Sequence, residues 1–325
     1  MFLEALDKLL ADQATGAAVR RMEADTPDTS VWRAIAQAGF FDLMLAEERG
    51  GAGLPLTELF PLFQRIGRDG IPLPVAQTIV ARGLMPLPDL PSSSIVTLAT
   101  RLQRPAAGGL YCPYTPSGML ASHVLACDAG QLVLLDCVGA VREAVGDRRS
   151  LLAHLRWPDA GAATALGAGG DALASHAGAL TAALLSGAMQ RCFEMTLEQC
   201  NNRVQFGKSI GKFQAIQQQV SVMAEHVLAA SIAAECAYRG EGPAPAALAA
   251  AVAKSRCSEA VGVVAATAHA VHGAIGMTDE FDLGILTRRM HEWRLQYGAE
   301  MHWNQQIGAQ VLASGQRLAE LVHAV

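Results

Sequence analysis

The spacing of apolar residues predicts helices at both ends of the chain and strands in between. After residue 170, apolar positions recur every three to four residues over long stretches, which is the spacing of one helix face. Interrupted by glycine and proline breaks, this pattern predicts helices at about residues 172–202, 212–239, 244–272, 282–296 and 299–323. Long helices joined by short connections form antiparallel bundles. The C-terminal half is therefore predicted to be a helical bundle.

The N-terminal part has a similar pattern in shorter segments. Leu3, Leu6, Leu9 and Leu10 share one helical face. A second helix is predicted to begin near Thr29–Trp32 and to end at Gly39, and a third to span Leu56–Ile66. Five prolines between residues 70 and 92 predict a run of turns and connectors there.

Shorter apolar runs with turn residues between them fill the middle of the chain. They predict strands at about residues 94–99, 124–127, 131–137, 141–145 and 152–156. A segment rich in glycine and alanine, Gly161–Gly170, follows and predicts a hinge. The order of elements is thus helical, then β, then helical.

Composition narrows the class of protein. The 325 residues are 51% apolar and 17% charged, with a formal net charge of −5. No block of Lys and Arg is present to neutralise phosphates, so no nucleic-acid partner is expected. The seven cysteines show no CxxC pair, which favours free thiols and a cytoplasmic location. Two stretches of about 18 residues lack charges but are rich in Ala, Gly and Ser, so core helices are expected and no membrane span.

Three motifs, together with this order of segments, resemble the acyl-CoA dehydrogenase family. They are the glycine loop Glu47-Glu48-Arg49-Gly50-Gly51, the segment Arg203-Val204-Gln205-Phe206-Gly207, and the segment His272-Gly273-Ala274-Ile275-Gly276. The Arg203 motif is the most specific of the three. The resemblance implies a mainly α fold with an N-terminal helical domain (1–92), a shortened middle β domain (93–170) and a C-terminal four-helix bundle (171–325).

The same resemblance implies a flavoprotein oxidoreductase of lipid metabolism. The family removes an α-proton from an acyl-CoA thioester while a β-hydride passes to FAD, and the product is the trans-2-enoyl-CoA. Arg203, Phe206, Gln214 and Gly273 match positions that contact FAD across a subunit interface. Arginine suits this role because its guanidinium matches pairs of phosphate oxygens. The partners implied are acyl-CoA, an electron-transfer flavoprotein or similar acceptor, and further subunits in a homo- or hetero-oligomeric dimer or tetramer.

The catalytic base departs from the family pattern. The two usual positions for a glutamate correspond to Tyr297 and Ala177, and a phenol is a poor base at neutral pH. Glu300, one turn further on, is the candidate that remains, although an exposed acid at a helix start is the alternative interpretation of it. Glu292 is interpreted as a solvated residue on a helix face.

Three functions stay open on this sequence. The first is an FAD-dependent acyl-CoA dehydrogenase with Glu300 as base. Its substrate pocket is expected between the β segment and the bundle, lined by the helices over residues 172–190 and 282–296. The second is a partner subunit without a base, of the kind found in unequal-subunit enzymes of steroid side-chain degradation, which completes the FAD site of a neighbour. The third is a relative with oxidase or monooxygenase chemistry. No metal site is expected, because His269 and His272 have no third ligand at fitting spacing.

Overall fold

Regular structure along the chain changes from helix to strand and back to helix. A computed structural model describes residues 1–24, 27–84, 90–147, 149–315 and 320. The mainly α order predicted from the sequence is confirmed. Elements change from helix to strand between residues 84 and 96, and from strand to helix at residues 168–170. The proposed domain boundaries at residues 92 and 170 stay predictions.

Five helices form the N-terminal part: α1 (Phe2–Gln13), α2 (Gly16–Met22), α3 (Ser30–Gln37), α4 (Leu56–Arg68) and α5 (Val75–Leu84). On α1, Leu6 and Leu10 are buried whereas Leu3 is 40% exposed. The expectation of connectors over residues 70–92 is wrong for α5. Pro74 directly precedes this helix, where a proline costs no hydrogen bond, and the first seven residues of α5 are all buried.

Two small sheets form the middle part. The first has the order β1 (Val96–Ala99), β3 (His123–Asp128), β4 (Gln131–Asp136) and β7 (Ala163–Ala168), with β1 parallel to β3 and the other pairs antiparallel. The second has the antiparallel order β2 (Leu110–Thr115), β6 (Ala153–Trp157) and β5 (Val141–Ala144). The expected hinge at 161–170 is wrong for its centre, because β7 pairs with β4 in spite of its alanines and glycines.

The first sheet lies between the second sheet and the helices. Along β3, Val124 and Ala126 pack into a core shared with the second sheet, and Leu125 points to the helical core. This alternation follows from the two-residue repeat of a strand. One face of the β part is thereby attached to the bundle, and the edge between them is where cavities can form.

The C-terminal helices are α6 (Gly170–Asn202), α7 (Gln214–Cys236), α8 (Ala247–His272), α9 (Leu283–Leu295) and α10 (Glu300–Ser314). The first four predicted helices are confirmed to within a few residues. The fifth begins as predicted, but its predicted continuation to residue 323 is wrong, because α10 ends at Ser314 with Gly315 in a left-handed conformation. Residues 316–319 and 321–325 lie outside the described residues. A short hairpin of β8 (Val204–Gln205) and β9 (Lys208–Ser209) connects α6 to α7.

Glycines allow α4 and α6 to approach until their backbones touch. A Cβ atom on Gly187 would lie 1.9 Å from the carbonyl oxygen of Gln64, and one on Gly67 would lie 2.1 Å from that of Leu184. Neither position has room for a side chain. This crossing fixes the N-terminal helices on the bundle.

Two helical segments, Gly170–Asn202 and Ala247–Met277, are long and apolar enough to cross a membrane. In the first, 89% of the most apolar window is buried inside the protein, and in the second 44% is buried. Core helices meet the same criterion of length and composition. Both segments pack in the bundle as the sequence predicts.

Candidate functional site

Two adjoining cavities lie where the β part meets the last helices. The larger one, cavity 1, has a volume of about 710 Å³. Its walls come from the loop between β5 and β6, from α9 and its C-terminal end, and from single residues of β2, of α8 and of the segment just after α2. Glu23, Ser150, Glu292, Leu295 and Gln296 are among its lining residues.

The smaller one, cavity 2, has a volume of about 500 Å³ and lies between the ends of β1 and β2 and the start of α10. It is lined on the β side by Leu98–Arg101 and Pro113, and on the helical side by Tyr297, Gly298 and Trp303. Its lining includes aromatic side chains together with polar and charged ones, such as Arg101 and His302.

Tyr114 and Leu295 line both cavities, so the two form neighbouring parts of one cleft. The backbone N–H of Tyr114 donates to Nδ1 of His154 at 3.1 Å, and Tyr114 has a positive φ of 48°. The sequence predicted a pocket between the β part and the bundle, lined by residues 172–190 and 282–296. The prediction is confirmed for α9, whereas from residues 172–190 only Ala174 lines the described part of either cavity.

A chain of charged groups forms one wall of cavity 1. The buried Glu23 carboxylate accepts from Arg289 Nη2 at 2.8 Å and from Arg288 Nη2 at 3.1 Å. Arg289 Nη1 also lies 2.9 Å from Oε1 of Glu292, whose Oε2 accepts from the Ser150 hydroxyl at 2.9 Å. Such paired charges are held rigidly, because each carboxylate has a donor partner.

The interpretation of Glu292 as a solvated residue is wrong. Its side chain is 17% exposed and lines cavity 1. Glu292 lies three residues after Arg289 and four before Gln296 on α9, so the three share one helix face. That spacing was the signal in the sequence that Glu292 lies on the same face as Arg289 and Gln296.

The predicted FAD contacts begin on the β8–β9 hairpin. Arg203 precedes the hairpin and its Nη1 donates to the carbonyl oxygen of His272 at 3.2 Å. Phe206 lies at the tip with a φ of 52° and is 91% exposed. An aromatic ring held outward at this exposure is typical of a surface that another molecule covers.

The remaining predicted FAD contacts lie beside this hairpin. Gln214 is exposed at the first position of α7. Gly273 ends α8 with a φ of 65°, and a Cβ there would lie 3.5 Å from Nη1 of Arg203. The structure therefore brings Arg203 and Gly273 together, with Phe206 and Gln214 on the adjoining turn. An exposed guanidinium beside an exposed aromatic ring fits a phosphate and a flat base, and FAD carries both.

Glu300 begins α10 and is bound to Arg294 of α9. The Arg294 Nε donates to Oε2 of Glu300 at 3.0 Å, and Nη2 donates to Oε1. These hydrogen bonds lower the pKa of Glu300 to about 2. Glu300 is not among the described residues that line cavity 1 or cavity 2. Its role as the base stays a prediction, and it requires the carboxylate to leave Arg294.

Of the two usual base positions, Tyr297 lines cavity 2 and Ala177 is not among its described lining residues. Tyr297 has a φ of 57°, and burial raises the pKa of its phenol well above the usual value. Ala177 is fully buried within α6. Its neighbour His176 is also buried, and desolvation lowers its pKa to about 4, so this imidazole is neutral at physiological pH.

The two histidines of α8 are occupied by polar neighbours. His269 Nε2 lies 3.1 Å from the Thr287 hydroxyl, and His272 Nδ1 lies 2.8 Å from the carbonyl oxygen of Ala268. Among the described residues, no group of three or more His, Cys, Asp or Glu side chains is arranged to hold a metal ion.

Family sequence models match both ends of the chain. The model described as "Acyl-CoA dehydrogenase, N-terminal domain" matches residues 1–87, and the one described as "Acyl-CoA dehydrogenase, C-terminal domain" matches residues 173–311. Among characterised proteins, acyl-CoA dehydrogenase IpdE2 of Mycobacterium tuberculosis is 32% identical over 301 residues, which cover 90% of each chain.

Solved structures give the same result for the fold. A variant of the Tcur3481–Tcur3483 steroid ACAD matches with a TM-score of 0.83 and 25% identity, and the match covers 96% of this chain and 97% of that one. The ChsE4–ChsE5 complex from Mycobacterium tuberculosis matches with a TM-score of 0.83 and 20% identity over 96% of each chain.

Proposed function

The chain belongs to the acyl-CoA dehydrogenase family, and on this premise we propose that it acts as an FAD-dependent acyl-CoA dehydrogenase. The reaction proposed is α,β-dehydrogenation of an acyl-CoA thioester to the trans-2-enoyl-CoA. The observation that carries this proposal is the cleft of two adjoining cavities, which meet at Tyr114 and Leu295.

The two cavities suit the two reactants. Cavity 2, with Tyr297 and Trp303 in its walls, is the proposed place for the flavin ring, and cavity 1 is the proposed place for the acyl group. FAD, when bound, supplies the acceptor for the β-hydride of the thioester. Arg203, Phe206, Gln214 and Gly273 are proposed to hold the FAD of a neighbouring subunit, since they lie on the hairpin and at two adjoining helix ends and are not among the described residues that line these cavities.

A partner-subunit role is the second candidate, and the state of Glu300 favours it. The described lining of cavity 2 contains no carboxylate, and Glu300 is bound to Arg294. A base could then come from a different subunit of a hetero-oligomer. The Tcur3481–Tcur3483 steroid ACAD, which has the same fold, carries the names of two chains. The free cysteines suit the reducing cytoplasm, which is the proposed location.

The visible absorption spectrum of the purified chain separates these two roles. A flavin band that bleaches with acyl-CoA esters would support a self-sufficient dehydrogenase. A chain without a flavin band even after FAD is added would instead support the partner subunit, and coexpression with a second acyl-CoA dehydrogenase chain should then restore the band and the bleaching. No bleaching in either preparation, over a broad panel of esters, would contradict the proposed reaction.

Glu300→Gln tests the base in whichever preparation bleaches. If Glu300 is the base, this isosteric variant should keep its FAD but lose bleaching by a factor of about 100 or more, the range for removal of a general base. An unchanged bleaching rate would exclude Glu300. Glu259→Gln, which removes a half-exposed carboxylate from α8, is the matched control and should bleach at the rate of the unmodified chain.

A further inference from the structure

The turn between α9 and α10 forms part of the wall of both cavities. Leu295 and Gln296 line cavity 1, and Tyr297 and Gly298 line cavity 2. Tyr297 and Gly298 have consecutive positive φ values of 57° and 107°. An aromatic residue in this region of φ is strained and keeps that conformation only when its surroundings hold it.

The ammonium group of Lys254 holds this turn from the inside. Lys254 lies in the middle of α8 and is fully buried. Its Nζ donates to the carbonyl oxygens of Arg294 at 2.8 Å and Gly298 at 3.0 Å, and to the Ser258 hydroxyl at 2.9 Å. The two carbonyls bracket the turn, so a single cation ties both of its ends to α8.

Other contacts complete the brace. Trp303 Nε1 also donates to the carbonyl oxygen of Gly298, at 3.0 Å. On the outer side, the ion pair between Arg294 and Glu300 joins the end of α9 to the start of α10. The turn is therefore held by α8, by α10 and by the ion pair between the residues on either side of it.

Burying an ammonium group costs free energy, because the charge loses its contacts with water. No carboxylate is hydrogen-bonded to Nζ among the described contacts. Burial lowers the pKa of Lys254 to about 7. The charge of Glu300 on α10 acts to raise it and that of Arg294 on α9 acts to lower it, whereas Cys257 on its own helix would raise it only as a thiolate, and burial raises the pKa of that thiol to about 12. A methionine would fill a similar volume without desolvating a charge. Stability alone does not account for lysine here, whereas its donors account for the position of the turn.

We propose that Lys254 is a positioning residue that holds the turn at residues 295–299 against α8 and so sets the wall shared by the two cavities. The expected effect of Lys254 on the binding of FAD and acyl-CoA rests on the proposed function. Its effect on the position of the turn is independent of that function. Hydrogen bonds from a charged donor are stronger than those from a neutral one. The loss of Lys254 is therefore expected to loosen the turn.

Hydrogen–deuterium exchange tests this directly on the whole chain. Exchange is measured at pH 6 for peptides that cover residues 295–300, and is divided by the exchange of an α4 peptide as an internal reference. In Lys254→Met this ratio should be about tenfold that of the unmodified chain, as expected for one or two lost hydrogen bonds. Lys8→Met, on the exposed face of α1, is the matched control.

FAD affinity supplies the second readout. Lys254→Met should weaken FAD binding about tenfold, and Lys8→Met should leave it unchanged. If the unmodified chain binds no FAD, the proposed function of the chain alone fails, and the exchange data still decide the role of Lys254. Equal exchange of residues 295–300 in the unmodified chain and Lys254→Met would overturn the proposal. If the methionine variant does not fold, Lys254→Gln, which removes the charge but keeps a shorter neutral donor, is measured in the same way, and an exchange ratio equal to that of the unmodified chain would overturn the proposal.

Discussion

Lys254 should give the stability of the protein a pH dependence that one substitution removes. Burial lowers its pKa from 10.5 to about 7 in the folded chain, and in the unfolded chain the pKa returns to the higher value. Between these values the unfolded chain carries a proton that the folded chain lacks. The free energy of unfolding therefore rises with pH in this window, and the cost of the buried charge is fully present below pH 7.

The size of the change in the free energy of unfolding follows from the shift in the pKa of Lys254. A full difference of one proton changes the free energy of unfolding by about 1.4 kcal/mol per pH unit. From pH 7.5 to pH 9.5 the folded amine is mostly neutral and the unfolded one mostly charged, so the gain is about 2.5 kcal/mol. The entropy of unfolding of a chain of this length is about 0.7 kcal/mol per degree. The gain corresponds to a rise in Tm of about 4 °C.

The assay compares the unmodified chain with Lys254→Met by circular dichroism at pH 7.5, 8.5 and 9.5. Contributions from other titrating groups cancel in the difference between the two Tm values. From pH 7.5 to pH 9.5, the Tm of the unmodified chain should rise by about 4 °C relative to the Tm of the variant. Lys8→Met should run parallel to the unmodified chain. A difference that does not change with pH would refute the low pKa, and one that falls would mean that the charge of Lys254 stabilises the fold.

Two further predictions concern FAD and the helix crossing. Arg203→Ala should weaken FAD binding ten- to hundredfold, the effect of one lost charged hydrogen-bond partner. Arg239→Ala, which changes an exposed residue just after α7, is the control. Equal flavin content in both variants would remove Arg203 from the FAD site. Gly187→Ala should lower the Tm by about 4 °C, because its Cβ would lie 1.9 Å from a backbone oxygen of α4 and overpacking costs about 3 kcal/mol. Gly262→Ala, where no atom lies within 4 Å of the added Cβ, should not lower the Tm, and an equal loss in both would contradict the packing argument.

Helical periodicity was the strongest signal in the sequence, and it located α6 to α9 closely. The expectations failed where composition and tertiary packing disagree. Prolines predicted connectors over the segment that forms α5, but a proline just before a helix is compatible with it. Alanine and glycine predicted a hinge where β7 forms, because pairing with β4 outweighs the weak strand preference of these residues.

Of the residues in the candidate site, only those that belong to the sequence motifs could be predicted. The Arg203 motif and Gly273 could be found from spacing, and the structure places them side by side. The walls of the cavities come from widely separated parts of the chain, from Glu23 to Gln306, and no local pattern shows which side chains face one another. Glu292 illustrates this, since its burial depends on Ser150, 142 residues away in the sequence.

Lys254 and Glu300 belong to one arrangement, and this changes how the base should be sought. Arg294 binds Glu300 through its guanidinium and Lys254 through its carbonyl oxygen. If Glu300 serves as a brace, exchanging the two charges in Arg294→Glu/Glu300→Arg should restore a loss seen in Glu300→Gln, because the ion pair re-forms with the opposite polarity. If Glu300 is the base, the exchange removes the carboxylate from its position and cannot restore bleaching. Bleaching by acyl-CoA in the double variant therefore separates a residue that shapes the cavity wall from one that takes the proton.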